Sequence, residues 1–132
     1  MPPRALVVEE DRATRDVLKA ILEGEGLAVD AVADGDEAID CLKDEHYTVL
    51  LLDIVLRNVS GTEVMEFLTR HSPSLLPKTI VVTGLAVTEI HKLFPTVKHA
   101  LSKPVMPGRL RAAVRACIHE NDGGTADVFV VA

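Results

Sequence analysis

The chain is poor in cysteine: Cys41 and Cys117 are its two, far apart and with no C-x-x-C spacing. That pattern excludes a disulfide framework and reads instead as two small packing residues in a reduced setting. No apolar stretch approaches the roughly 20 residues a membrane span needs. Met1-Pro2-Pro3-Arg4 enters a short apolar run with no signal-peptide pattern, so the expected location is the cytoplasm. Basic residues are outnumbered, 14 Lys and Arg against 20 Asp and Glu, for a formal net charge of −6. This argues against sequence-independent nucleic-acid binding, which needs a basic face. Arg109, Arg111 and Arg115 stand at helical spacing and read as a solvated helix face. The five histidines (His46, His71, His91, His99, His119) lack ligand spacing and read as surface or packing residues.

What the chain does have is apolar residues, 48% of 132, enough for one domain with a real core. Short solid apolar runs predict strands over 4–8, 27–32, 48–53, 78–83 and 97–101. Runs without alternation suit strands covered on both faces. Periodic segments between them predict helices over 12–24, 35–45, 61–71 and 107–119, with a weaker one over 86–95 stopped by Pro95. Gly24 and Gly26 end the first helix, Asp34-Gly35 opens the second and Ser60-Gly61 the third. Five βα repeats predict an α/β fold with a five-stranded, doubly wound parallel sheet, whose functional edge lies at the carboxyl ends of the strands. The expected domain covers 1–120. Residues 121–132 follow as a tail in which Asp127-Val128-Phe129-Val130-Val131 is a short strand or a sticky segment, with no role assigned.

The strand ends carry the chemistry. Glu9-Glu10 closes the first apolar run, Asp53 the third and Thr83 the fourth, and Lys103-Pro104 follows the fifth. Two carboxylate-bearing strand ends, a hydroxyl and an ammonium on one sheet edge suit a divalent cation and a phosphoryl group. Each residue alone has an ordinary structural reading, as a helix cap, loop or turn; the combination in order does not.

In this pattern the chain resembles the receiver domain of bacterial two-component response regulators, a flavodoxin-like fold, over roughly residues 4–119. The match comprises Glu9-Glu10 with Arg15 six residues beyond Glu9, Asp53 with Gly61 eight residues later, Thr83, and Lys103-Pro104. The resemblance implies that Asp53 is the phosphoacceptor and that Thr83 and Lys103 contact the phosphoryl group. It also implies a Mg²⁺ ion, with Mn²⁺ an alternative, on Glu10, Asp53 and the backbone carbonyl of Val55, with Glu9 acting mainly through water. Arg15 is read as helix-surface packing and left outside the site.

Three departures from the family pattern stand out. The acid pair is Glu-Glu, so Glu10 brings an extra methylene to a geometrically strict ion. Arg57 stands where a proline is usual. Ala100 replaces the Tyr or Phe usual three residues before the lysine, so any switch must use another element, such as 84–95. The patch around Ala100 is expected to be an aromatic-free part of the output surface.

The expected function is a stand-alone receiver, monomeric or weakly dimeric. It would take a phosphoryl group from a histidine kinase or phosphotransfer protein and signal by protein contact through 84–119. The alternative is a pseudo-receiver, a constitutive binding module. A phosphohydrolase of the haloacid-dehalogenase type would need a second Asp at position 55, where Val55 stands. A turnover enzyme is therefore not expected. In this fold the side chains of Val55 and Leu85 overlook the path of a hydrolytic water, and neither can orient one. Slow self-dephosphorylation follows: Val55→Asn or Leu85→Glu is expected to shorten the acyl-phosphate lifetime in a phosphate-release assay, and unchanged decay in both would refute this.

Overall fold

Parallel pairing on two covered faces is what makes the apolar runs solid. A computed structural model describes residues 2–54, 61–84, 86–119 and 130–131. In chain order the elements are β1 (Arg4–Val8), α1 (Arg12–Gly24), β2 (Ala28–Val32), α2 (Gly35–Asp44), β3 (Val49–Asp53), α3 (Gly61–His71), a 3-10 helix (Pro73–Lys78), β4 (Thr79–Thr83), α4 (Val87–Leu93), β5 (His99–Ser102), α5 (Pro107–His119) and β6 (Val130–Val131). The sheet is parallel throughout, in the order β2-β1-β3-β4-β5-β6. Side chains alternate between the two faces. Leu6, Val8, Leu50, Leu52 and Val81 pack with residues of α2, α3 and α4. Ala5, Val7, Leu51, Ile80 and Val82 pack with residues of α1 and α5. Each fully buried Leu or Val contributes about 1.5–3 kcal/mol of transfer free energy. Between β1 and β3 the strand order reverses, which opens a crevice at their carboxyl ends.

The five expected strands and their helices are present, with ends displaced by one or two residues. The local signals have identifiable partners. Asp11 caps α1 by accepting from Thr14 N at 2.9 Å, and Asp34 caps α2 by accepting from Glu37 N at 2.9 Å. Glu37 reaches back to accept from Ala33 N at 3.2 Å, in the manner of a capping box. Gly26 turns the chain out of α1 at φ +90°, a conformation that favours glycine. The segment 86–95 is a seven-residue helix whose first-turn donors receive no side-chain cap from Ala86. Between α3 and β4, Pro73–Lys78 forms the 3-10 helix. Of the tail, Val130–Val131 adds a sixth strand beside β5, pairing His99 with Val130 and Ala100 with Val131. Val55, Arg57, Leu85 and the rest of 121–132 lie outside the described residues. Among the described residues no helix is long and apolar enough to cross a membrane.

At the amino end of the sheet, Arg4 Nη2 and Tyr47 Oη donate to Asp30 Oδ2 at 2.6 and 2.8 Å. Burial alone would raise the Asp30 carboxyl, but the hydrogen bonds from Tyr47 and Arg4 outweigh it and hold the pKa below the usual range. A depressed folded-state pKa adds stability above the unfolded value of about 3.9 and loses it as pH falls through the folded value. Asp30→Asn is therefore expected to be less stable than the wild type at pH 7 in urea unfolding. The gap should narrow once pH drops below about 4, and a gap independent of pH would refute the assignment.

Candidate functional site

The register of the sheet builds the site before any side chain is considered. Val8 pairs with Leu52, Asp53 with Val82, and Thr83 with Ser102, so β1, β3, β4 and β5 end side by side. The backbone continues the ladder past their ends. Glu9 N donates to Val32 O at 3.1 Å, and Lys103 N donates to Thr83 O at 2.8 Å. The residues that follow each strand therefore meet on one edge.

Glu9, Asp53 and Lys103 come into direct contact there. Glu9 and Asp53 are buried, at 2% and 6% exposure. Lys103 Nζ donates to Asp53 Oδ2 at 2.8 Å and stands 2.6 Å from Glu9 Oε1. Glu9 Oε1 is thus buried in an ion pair with the same ammonium that Asp53 engages. Burial works against the ammonium, but Asp53 and then Glu9 more than offset it, and the Lys103 pKa is held above its usual value. Two buried carboxylates on one ammonium leave a net negative charge. Thr83 is fully buried at the end of β4, and Glu10 is half-buried in the turn after Glu9.

The turn from β1 into α1 is held by its own residues. Glu9 Oε2 accepts from Asp11 N at 3.0 Å. Asp11 also receives the Thr14 hydroxyl at 2.7 Å, and its carboxyl is held low first by the Thr14 hydrogen bonds, with Lys103 and Arg15 adding charge. Arg15 does more than pack on the helix surface. Its Nη1 donates to the Glu9 carbonyl at 2.9 Å and to the Glu10 carbonyl at 3.1 Å. The available sequence signal was its place six residues after Glu9; its targets are backbone oxygens, which no side-chain pattern displays.

The exit from β3 is set by a close backbone approach. Ile54 N donates to Val82 O at 3.4 Å, and Gly61 N donates to Ile54 O at 3.1 Å. A Cβ on Gly61 would sit 2.4 Å from Ile54 Cα and 2.6 Å from its carbonyl oxygen. The Val55 carbonyl, the remaining expected ligand, lies outside the described residues.

The donor set suits a hard divalent cation. Among the described residues no three His, Cys, Asp or Glu side chains close on one point to form a ready cage. Mg²⁺ asks for less, since it keeps several waters and takes one or two carboxylates. Glu9 and Asp53, two buried carboxylates brought together on Lys103, supply that number.

Ala100 corrects one expectation. It is fully buried and belongs to the core cluster that includes Ile90 of α4, Val81 and Val97, so it is not part of a surface patch. Among the described residues of 84–119, the exposed large apolar side chains are Leu93 and Met106, each 59% exposed.

The family model of the response regulator receiver domain matches residues 5–115. The chain is 28% identical over 132 residues to the DNA-binding response regulator MtrA of Mycobacterium tuberculosis, covering all of this chain and 58% of that protein. It is 32% identical over 119 residues to the response regulator MprA of Mycolicibacterium vanbaalenii, covering 89% of this chain and 51% of the relative. The chain thus spans little more than half the length of these curated relatives. Among solved structures, a CheY-like response regulator receiver domain protein from Methanospirillum hungatei superposes with a TM-score of 0.81 at 31% identity, covering 94% of this chain and 100% of that one.

The Gly61 contact yields a prediction. Gly61→Ala must push against backbone and is expected to cost about 1–3 kcal/mol in urea unfolding. Gly24→Ala, where an added Cβ meets nothing within 4 Å, is expected to be neutral or slightly stabilising. Equal effects at the two positions would refute the steric reading.

Proposed function

The chain belongs to the response regulator receiver family, and from that membership and the site we propose that it is a phosphoacceptor module in which Asp53 takes a phosphoryl group from a histidine kinase or phosphotransfer protein. The observation that carries the reading is Lys103 Nζ held between Asp53 Oδ2 at 2.8 Å and Glu9 Oε1 at 2.6 Å on the strand-end edge. An Asp53 oxygen attacks phosphorus; the new O–P bond forms as the bond from phosphorus to the donor's histidine nitrogen breaks, giving an acyl phosphate. Phosphorylation removes the carboxylate charge of Asp53 and brings the charge of the phosphoryl oxygens, with which Lys103 then pairs as a point charge. Thr83 supplies a hydroxyl to the same group. Glu9, Glu10, Asp53 and the Val55 carbonyl would hold Mg²⁺, which supplies positive charge to the phosphoryl oxygens. The product stays on the protein, so the module signals and does not turn over.

The donor must bring its phosphohistidine to Asp53, so it must rest on what surrounds Lys103. A groove of about 590 Å³ begins at Lys103 and Pro104 and runs over Ala13, Val17 and Ile21 of α1. Val17 is 57% exposed on it. We assign donor docking to this apolar face and output contacts to the 84–119 surface. With Ala100 in place of an aromatic, the two-state element is α4, short and uncapped by a side chain at its amino end. A shift from 1:99 to 99:1 needs about 5.5 kcal/mol of differential interaction, more than one Thr83 hydrogen bond provides. A second reading, a constitutive binding module, draws support from the fully buried Ala100, which leaves no ring to reorient.

Intact-protein mass after incubation with MgCl2 and acetyl phosphate separates the two. A phosphoryl adduct on the wild type, absent from Asp53→Ala, is the expected result. No adduct, with no Mg²⁺-dependent rise in Tm, would favour the constitutive module.

A further inference from the structure

Three acids in a row, Glu9-Glu10-Asp11, occupy the turn at the crowded end of β1. Such a turn has to be held against mutual repulsion, and Glu10 adds a rotatable bond that an aspartate would lack. The amide side of the turn is fixed by Glu9 N to Val32 O and by Asp11 N to Glu9 Oε2. On the carbonyl side, one nitrogen of Arg15 donates to two successive peptide oxygens, Glu9 O at 2.9 Å and Glu10 O at 3.1 Å. Those two peptide planes set the directions in which the Glu9 and Glu10 side chains leave the backbone. If either plane rotates, the Glu9 carboxylate leaves its place on Lys103 beside Asp53 and the direction of the Glu10 side chain changes with it.

We propose that Arg15 is a positioning residue that sets the divalent-cation affinity of the site by locking the backbone of the Glu9-Glu10 pair. This rests on the phosphoacceptor reading. Arg15 donates to carbonyl oxygens and acts through the two acids. Partners that orient metal ligands typically change affinity 10–100-fold when removed. A lysine at the same place keeps a cationic donor but on a stem one atom shorter and without the rigid guanidinium plane, so it restores the lock in part.

The test is a calorimetric titration of MgCl2 into the full chain, the wild type beside Arg15→Met and Arg15→Lys, with urea midpoints measured in EDTA. Arg15→Met is expected to raise the half-saturating Mg²⁺ concentration about tenfold or more. Arg15→Lys should fall between Arg15→Met and the wild type. A wild type that binds Mg²⁺ and an Arg15→Met that titrates within twofold of it would overturn the role while leaving the phosphoacceptor reading intact. So would a drop in urea midpoint with no change in half-saturation, the mark of a purely structural residue. A wild type that takes up no Mg²⁺ would overturn both.

Discussion

Two buried carboxylates sharing one ammonium is the arrangement on which the molecule's design turns. Glu9 and Asp53 come from strands that are neighbours in the sheet, and Lys103 arrives from β5, beyond the intervening β4. Removing one member of a buried ion pair leaves an uncompensated charge and typically costs about 3–5 kcal/mol. The β1–β3–β4–β5 order, the level strand ends and the bond from Lys103 N to Thr83 O all meet that demand. The same charges make the site useful. A net negative cluster of carboxylates favours a cation, and a lysine already at Asp53 favours an anionic group there.

The scaffold keeps this edge rigid by dividing labour between its faces. α1 and α5 cover one side, α2, α3 and α4 the other, each on its own set of alternating strand residues. α1 and α5 are further tied through Arg115 and Glu25. The two turns that matter are each held by one unusual contact: Arg15 on the carbonyls after β1, and Gly61 against the backbone after β3. Both act through the backbone, on the turns that adjoin Glu9 and Asp53.

Much of this could be read from the chain because solid apolar runs and strand-end polar residues are local signals. Glu9, Asp53, Thr83 and Lys103 were placed by the runs that precede them, and the caps at Asp34 and Gly26 by ordinary turn chemistry. Other features depend on what the chain meets in space. The 3-10 helix over Pro73–Lys78, which holds both Pro73 and Pro77, has no apolar periodicity to announce it. Arg15 reads as a surface cation because its partners are backbone oxygens. Ala100 reads as a gap in a surface, but α4 folds over it with Ile90. Within Glu9-Glu10, strand alternation ends at Val8, so no periodicity says which acid turns inward; the contact with Lys103 singles out Glu9.

The borders of the sheet show a different kind of constraint. A parallel sheet ends in rows of unpaired amides and carbonyls that can recruit another copy of themselves. On the β2 side the border strand carries Asp30 at its middle, a carboxylate that neighbouring strands would have to desolvate. On the β5 side the row is met by the chain's own backbone at Val130–Val131. Growth of the sheet by self-recognition is thus opposed by charge at one margin and by occupancy at the other, which leaves the strand-end edge as the face open to exchange with other molecules.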